Sequence, residues 1–421
     1  MRHGKSCTMI SDDNRPQAAF VWVWLPGAVD PVVAGRLEAA HGRLRFNYGR
    51  SYLDRDNAIA IYDAELPLKP GALEPLDGLS MPGCIRDGAP DAWGRRVIIH
   101  GLSTGGRSDP DELTFLLASG SDRIGALDFQ RSATSYAPRC PKQATIDQLL
   151  EAAERVDKGA PLTPDLEQAL FHGTSIGGAR PKALIEDGGR KYVAKFSTGA
   201  DLYHVVKAEF IAMRLARRCG LNVASVLLAE AAGKDVLLVE RFDRVRQKTG
   251  WARRSMVSAL TLFGLDEMMA RYASYQWLAE IIRRRFTAPG PTLKALFARL
   301  VFNILCGNTD DHARNHAAFW DGAGLTLTPA YDICPQSRVG REASQAMRIA
   351  EDDNLSRIRS CLDAARHFQL TEAHARQIVE AQIDCIKTHW RDVCDEANLP
   401  AADRNRLWER QFLNPFAFEG Y

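Results

Sequence analysis

The sequence predicts an α+β fold with two lobes, a β-rich N-terminal part followed by a mostly α-helical C-terminal part. Short runs of apolar and β-branched residues, separated by Gly, Pro and Asp, recur as far as Glu240, and such runs are typical of strands. From residue 255 onward the apolar residues recur mostly at helical spacing. The exception is a hairpin around Asp321 and Gly322. This order predicts a cleft between the two lobes.

Composition and charge narrow the class of protein. The chain has 421 residues, of which 46% are hydrophobic and 25% charged, as in an ordinary globular protein with a sizeable core. A net charge of +2 gives no support to direct nucleic-acid binding. Nine scattered cysteines without a Cys-x-x-Cys pair indicate reduced thiols. The longest early apolar run, residues 18–25, is too short to span a bilayer. We therefore expect a cytoplasmic protein without a membrane segment.

The first predicted domain covers residues 1–135 and is rich in β-structure. Asp91 is predicted to cap the helix that follows it. Residues 136–142 contain two prolines and are predicted to form a linker. The predicted strands are 18–25, 44–48, 58–62 and 123–129, and a helix is predicted at 111–118.

The second predicted domain covers residues 143–421 and contains a second set of strands before the helical part. Thr145 and Thr163 are predicted N-caps of its first two helices. The predicted helices are 144–156, 164–171 and 204–218, and the predicted strands are 183–185, 192–196, 223–230 and 236–240.

The strongest candidate for chemistry is the polar stretch Asn308–Asn315, which lies between two apolar runs. Polar groups held on apolar walls act at low dielectric. Asp310 precedes Asn315 by five residues, and Asp332 follows after a short hairpin. The same order of base Asp, Asn and metal-binding Asp occurs in protein kinases. We therefore interpret Asp310 as the base for a substrate hydroxyl, and Asn315 and Asp332 as oxygen ligands of Mg²⁺.

Upstream segments fit a kinase in the same order along the chain. Gly177 and Gly178 allow backbone N–H groups to approach phosphate oxygens, and Lys182 adds charge, although paired glycines are also ordinary turn residues. Lys195, in Val-Ala-Lys-Phe, is interpreted as the cation on the nucleotide phosphates, and Glu209 on the next helix as its partner. Both could instead be solvent-facing residues.

A possible hinge between the lobes follows the strand that ends at Glu240. Its backbone would face adenine, and the carboxylate of Asp243 would accept the ribose hydroxyls. The alternating charges of residues 240–244 also fit a salt-bridged surface corner.

Two other kinds of site find less support. Four residues could be imagined as zinc ligands, namely Cys306, His312, His316 and Cys334, but their spacing matches no common zinc pattern. We expect His312 to brace the loop by hydrogen bonds instead. A hydrolase is disfavoured because Cys306 has no obvious electropositive setting in the sequence.

Taken together, these motifs resemble the HipA family of bacterial serine/threonine kinase toxins. The resemblance implies a two-domain kinase whose fold is similar to that of phosphoinositide 3- and 4-kinases, with Mg²⁺ and ATP as cofactors. It places Lys195 on the phosphates, and Glu240, Phe242 and Asp243 around adenine and ribose. Ser175 matches the serine that such kinases autophosphorylate. The segments that carry the resemblance are Arg86–Arg95, Ile124–Leu127, Ser175–Lys182, Val193–Phe196, Val239–Arg244, Asn308–Asn315 and Pro329–Asp332.

The resemblance also implies partners. Family substrates include aminoacyl-tRNA synthetases, whose phosphorylation arrests growth and favours persistence, and a small DNA-binding antitoxin often binds the toxin. Residues 334–347 look like those of a branch that can occur without an adjacent antitoxin. Two alternatives stay open, a nucleotide-binding regulatory module with little kinase activity and a DNA-associated regulator. Asp311 receives no role from these motifs.

Overall fold

The N-terminal part of the computed structural model is built on a five-stranded antiparallel sheet in the order β4-β3-β2-β1-β5. The structure describes residues 16–103, 110–139, 144–163, 166, 170, 180–198, 201, 203–338 and 340–421. The strands are β1 (Ala18–Val23), β2 (Val32–Ala40), β3 (Arg43–Tyr48), β4 (Ala72–Leu73) and β5 (Leu127–Gln130). Four helices accompany them, α1 (Arg50–Leu53), α2 (Gly83–Arg86), α3 (Ala92–Ser103) and α4 (Glu112–Ala118).

Most predicted elements of this part are confirmed, but one strand is wrong, and β2 and the two-residue strand β4 were missed. Residues 58–62 form no strand, and Tyr62 makes only an isolated bridge. Tyrosine hydroxyls bond to this backbone instead, since Tyr52 donates to the Ile59 carbonyl at 2.8 Å and the Ile61 amide donates to Tyr48 at 2.9 Å. The sequence prediction missed β2, because charged residues interrupt its apolar pattern.

A second, four-stranded antiparallel sheet follows in the order β6-β7-β9-β8. Thr145 caps the first helix of this part with a complete capping box, as predicted. Leu166 N donates to Thr163 Oγ1 at 3.4 Å, which agrees with the second predicted cap, although most of 164–171 lies outside the described residues. The elements are α5 (Ile146–Asp157), β6 (Lys182–Asp187), β7 (Arg190–Phe196), α6 (Val205–Arg218), β8 (Val226–Ala231) and β9 (Lys234–Glu240).

The rest of the chain is mostly helical, as predicted, and contains two small sheets. The strands are β10 (Arg244–Arg246), β11 (Trp251–Arg253), β12 (Ser255–Ser258), β13 (Ala317–Trp320) and β14 (Leu325–Leu327). The helices are α7 (Ala259–Leu262), α8 (Tyr275–Arg285), α9 (Pro289–Leu305), α10 (Ile358–Ala364), α11 (Glu372–Glu396) and α12 (Ala401–Leu407). Within the described ranges, no helix has the length and apolar character needed to cross a membrane.

One hydrophobic core runs through both halves of the molecule. It joins Val21 and Phe129 of the first sheet to Phe297 and Leu300 of α9. A second core lies against the four-stranded sheet and includes Trp93 of α3. The N-terminal part therefore packs against both lobes of the second part.

Candidate active site

Lys195 lies at the centre of a charged cluster between the lobes. Its Nζ donates to Glu209 Oε1 at 2.5 Å and also to Asp332 Oδ1. The side chains of Lys195 and Glu209 are only 16% and 6% exposed, which rules out the solvent-facing interpretation of both. One cation is thus held between two carboxylates from different elements.

The strand β7 sets this position by its alternation. Tyr192, Ala194 and Phe196 are buried on one face of the strand, so Lys195 points to the opposite face. Asp332 reaches Lys195 from a backbone with φ of +59°. Non-glycine residues rarely adopt this left-handed conformation, and it is enriched at functional sites.

The charges of the cluster shift one another's pKa values. Burial opposes ionisation of Asp332, but Lys195 lowers the pKa of Asp332 to about 2. Burial acts to lower the pKa of Lys195, but Asp332 and Glu209 outweigh this effect and raise the pKa above its ordinary value. Burial raises the pKa of Glu209. The lysine is therefore a permanent cation at this site.

Asp310 and Asn315 lie together on the loop after α9. Asn315 Nδ2 donates to the backbone oxygen of Asp310 at 3.2 Å, and His312 N donates to the same oxygen at 2.9 Å. Partial burial raises the pKa of the Asp310 carboxyl, His312 opposes this, and Asp332 adds to it. A raised pKa suits a carboxylate that accepts a proton.

Asp311, to which the sequence motifs assigned no role, is a buried residue that anchors this loop. Its side chain is only 3% exposed. Asp311 Oδ1 lies 2.9 Å from His316 Nε2, and Asp311 Oδ2 accepts a hydrogen bond from the Tyr275 hydroxyl. Asn303 Nδ2 donates to the same hydroxyl at 3.4 Å. The two carboxylates of the Asp310-Asp311 pair thus face different surroundings, one exposed and one buried. In the sequence, the polar residue Asn303 within the apolar run of α9 is a signal that could have pointed to this buried hydrogen-bond network.

His312 braces the loop through its backbone, as expected, because its N–H bonds to Asp310 and its carbonyl accepts from Asn315 N at 2.9 Å. Among the described residues, its ring Nδ1 is buried without a hydrogen-bond partner. The zinc interpretation finds no support. His316 is engaged by Asp311. In the part of the chain that the structure describes, no group of three or more His, Cys, Asp and Glu residues is placed to hold a metal.

Lys182 lies near the same cluster and is paired with the N-terminal domain. Lys182 Nζ donates to Asp91 Oδ2 at 3.2 Å, and the two side chains are 3% and 6% exposed. Burial lowers the pKa of Lys182, and Asp332 is among the charges that raise it. The sequence motifs gave Asp91 only a capping role, which it also fulfils through Gly94 N at 2.8 Å. Ser175, Gly177 and Gly178 lie outside the described residues.

Glu240 and Phe242 lie two residues apart at the predicted hinge and contact different side chains. The Phe242 ring packs against Phe319 and Tyr331, with ring centroids 6.0 and 5.6 Å apart. Phe242 therefore lies beside the residue that precedes Asp332. Glu240 ends β9, and its carboxylate pairs with Arg190 at 3.3 Å.

The Asp243 carboxylate is buried and engaged by other residues, which argues against the predicted contact with ribose. Its side chain is 3% exposed. Asp243 Oδ1 accepts from Arg241, and Oδ2 accepts from Arg241, Arg244 and the backbone N of Gly125. The two arginines that flank Asp243 occupy both oxygens, and the N-terminal domain adds a further donor through Gly125. The surface-corner interpretation fails for the same reason, since these charges are buried.

These features define the class of protein. An antiparallel sheet above a helical lobe, with a lysine held by two carboxylates between them and an Asp–Asn loop below, is an α+β kinase-like fold. Residues 23–130 match the HipA N-terminal domain, and residues 174–390 match the HipA-like C-terminal domain. The chain belongs to the HipA family and is a protein kinase.

Known relatives agree with this assignment. The protein Y4mE of Sinorhizobium fredii, provisionally named a kinase, is 27% identical to this chain over 334 residues. The match covers 74% of this chain and 76% of that protein. The serine/threonine-protein kinase toxin HipA of Shewanella oneidensis is 26% identical over 203 residues, covering 42% of this chain and 47% of that protein.

A solved structure extends the likeness to nearly the whole fold. It is the complex of HipA, HipB and operator DNA from the toxin–antitoxin system of Shewanella oneidensis. The TM-score is 0.70 at 20% sequence identity, over 96% of this chain and 98% of that chain. At this identity the match speaks for the fold alone.

Proposed function

We propose that this chain is an ATP- and Mg²⁺-dependent serine/threonine protein kinase with a fold similar to that of phosphoinositide 3- and 4-kinases. The bridge from Lys195 to Glu209 and Asp332 is the observation that supports this most. In kinases, a lysine paired with a helix glutamate and close to the metal-binding aspartate marks an assembled nucleotide site.

In this proposal Lys195 binds the nucleotide phosphates and Glu209 holds Lys195 in place. Lys182 adds a second cation, and Gly177 and Gly178 are proposed to offer backbone donors to the phosphates. Phe242 offers an aromatic wall to adenine, and Glu240 lies at the hinge beside it. Asp243 is omitted from the nucleotide contacts because its oxygens are occupied.

The residues present fit a magnesium ion. Lys195 engages Asp332 through Oδ1, which leaves Oδ2 for another partner, and the Asp332 side chain is 40% exposed. Asn315 donates through Nδ2 to the Asp310 backbone, which leaves its oxygen as an acceptor. Carboxylate and amide oxygens are the ligands that a hard cation prefers. Bound Mg²⁺ would neutralise charge on the phosphates.

Asp310 then accepts the proton of the substrate serine or threonine hydroxyl as that oxygen attacks the γ-phosphorus. The bond from this phosphorus to the β–γ bridging oxygen breaks, and ADP leaves. The hydrogen bonds from Asn315 and His312 to the Asp310 backbone hold the loop for this step. Asp311 keeps the loop in place through His316 and Tyr275.

Asp310→Asn tests the proposed function. We expect transfer of labelled γ-phosphate to fall by about a hundredfold or more, since a positioned base contributes on this scale. Nucleotide affinity and melting temperature should stay close to those of the wild type. Asp384→Asn, an exposed carboxylate on α11, is the matched control and should transfer normally.

Equal labelling by Asp310→Asn and the wild type would contradict the assignment of the base. Nucleotide binding by the wild type without Mg²⁺-dependent turnover would favour a nucleotide-binding regulatory module instead.

We further propose a bacterial protein substrate such as an aminoacyl-tRNA synthetase, autophosphorylation at Ser175, a cytoplasmic location, and growth arrest as the outcome. The toxin name of the Shewanella relative and its complex with HipB and operator DNA support a small DNA-binding antitoxin as partner. The proposed domains are 1–135 and 143–421, and the two family matches support them.

Mass spectrometry of protein incubated with ATP should find phosphate on Ser175 in the wild type and none in Asp310→Asn.

A further inference from the structure

A cavity of about 490 Å³ lies between the segment that follows Asp332 and a second segment, formed by the end of helix α12 and the residues after it. Arg338 lines it from the first side, and Arg406 and Arg410 line it from the second. Among the described residues, no Asp or Glu lines this space. We call it the arginine cavity.

Among the described residues, these three arginines have no acidic partner, whereas nearby arginines do. Arg341 pairs with Glu419 at 2.5 Å, and Arg404 pairs with Asp395 at 2.5 Å. Within the described ranges, Arg338, Arg406 and Arg410 take part in no such ion pair. Three unpaired guanidinium groups around one space create a positive potential that favours an anion.

Arg338 also carries unused hydrogen-bond donors. Its Nε and Nη1 are buried without a partner in the part of the chain that the structure describes. Burial lowers the pKa of Arg338, which reflects the cost of a desolvated cation. Buried donors are nearly always satisfied, so these two nitrogens point to a ligand that supplies oxygen acceptors.

The walls of the cavity are attached to the catalytic loop. Gln336 N donates to the Gly307 backbone oxygen at 2.9 Å. Gly307 packs so closely on Gln411, a cavity residue, that a Cβ on Gly307 would lie 2.7 Å from the Gln411 backbone oxygen. Tyr203, which also lines the cavity, donates to the backbone oxygen of Pro335. The cavity therefore shares backbone contacts with both the loop that carries Asp310 and the segment that carries Asp332.

We propose that the arginine cavity is a second binding site, separate from the nucleotide cleft, for a phosphomonoester dianion. A tetrahedral dianion offers several acceptor oxygens, and guanidinium groups match these oxygens in geometry and charge. The volume exceeds that of a lone phosphate and falls in the range of ligand pockets, so the phosphate is expected to carry an organic group. The site is independent of the proposed function, because binding here requires no phosphoryl transfer.

Calorimetric titration of the full chain with inorganic phosphate and with phosphoserine tests the proposal. We expect saturable binding to the wild type and at least a tenfold loss of affinity in the double variant Arg406→Gln/Arg410→Gln. Both of these side chains are exposed, so the variant should fold. Arg284→Gln/Arg391→Gln removes the same charge from exposed positions outside the cavity and should bind like the wild type.

Equal phosphate affinity in the cavity variant and the wild type would overturn the proposal, as would a wild type without saturable binding at millimolar concentration. A peptide with one phosphoserine identifies the source of the phosphate. Tenfold tighter binding than phosphoserine would indicate a phosphorylated protein segment, and equal binding a small phosphorylated metabolite. Loss of phosphate binding with kinase activity intact would separate this site from the proposed active site.

Discussion

Lys195 shows how one side chain can hold two elements of a kinase together. It connects Glu209 of α6 with Asp332, which follows β14. Without the lysine, two carboxylates would face each other with no cation between them. Leaving a charge buried without its partner is costly, so the lysine affects stability as well as nucleotide binding.

We therefore expect Lys195→Met to lower the free energy of unfolding by about 2 to 4 kcal/mol near neutral pH, less than for a fully buried pair because Asp332 is partly exposed. Burial raises the pKa of Glu209 above its ordinary value of 4.5, and loss of the lysine raises it further. A group with a raised folded pKa binds a proton more tightly in the folded state, so the loss of stability should shrink as pH falls toward 4.5.

Urea denaturation of the variant and the wild type at several pH values measures this effect. Lys248→Met, at an exposed position, is the matched control and should unfold like the wild type at each pH. A destabilisation of Lys195→Met that is the same at every pH would contradict the role of Glu209.

At the scale of elements, the hinge is held by the N-terminal domain. Asp122 Oδ1 accepts from Arg241 at 3.0 Å and from Arg244 at 2.7 Å. Gly125 N donates to Asp243 Oδ2 at 2.8 Å. The loop before β5 thus fits against residues 241–244, and two segments that the sequence marked as separate motifs form one buried junction.

Asp243→Asn distinguishes this junction from a ribose contact. Burial opposes the charge of Asp243, but Arg241 and Arg244 lower its pKa, so the carboxylate stabilises the fold above its unfolded pKa and loses this contribution as pH falls. We expect the variant to lose about 3 kcal/mol of unfolding free energy near neutral pH. Its affinity for ATP, measured by titration calorimetry, should remain close to that of the wild type.

The opposite result, normal stability with weakened ATP binding, would restore the ribose interpretation. Asp187→Asn at the exposed end of β6 provides the control for loss of one carboxylate.

On the scale of the whole molecule, the two parts of the chain share a core. Phe129 of β5 and Phe297 of α9 are both fully buried within one continuous apolar cluster. The buried ion pair between Asp91 and Lys182 adds a polar link between the same parts. We expect the full chain to unfold as one cooperative unit, because neither part encloses this core alone.

Differential scanning calorimetry should therefore show one main transition. Phe129→Ala and Phe297→Ala should each destabilise it, by about 3 to 5 kcal/mol as for buried phenylalanines in general. Two separate transitions, each shifted by only one of the variants, would show that the parts unfold independently.

The sequence by itself determined the α+β class, most of the elements and the faces of the clearest ones. The alternation of β7 put Lys195 opposite the buried side chains, and Thr145 was correctly predicted as the N-cap of α5. These features depend on residues a few positions apart, where backbone geometry relates pattern to structure directly. Such local rules also failed where distant groups intervened, as in residues 58–62, whose backbone bonds with Tyr48 and Tyr52.

Only the tertiary structure decided which charged residues meet. Asp243 pairs with a backbone group 118 residues away, and Lys182 with a carboxylate 91 residues away. Asp310 and Asp311 are neighbours in the sequence, but the fold exposes Asp310 and buries Asp311, which then bonds to His316. A buried charge is costly unless an opposite charge or a hydrogen-bond partner lies beside it. Which distant residue becomes that partner depends on the fold, so a local sequence pattern does not reveal it.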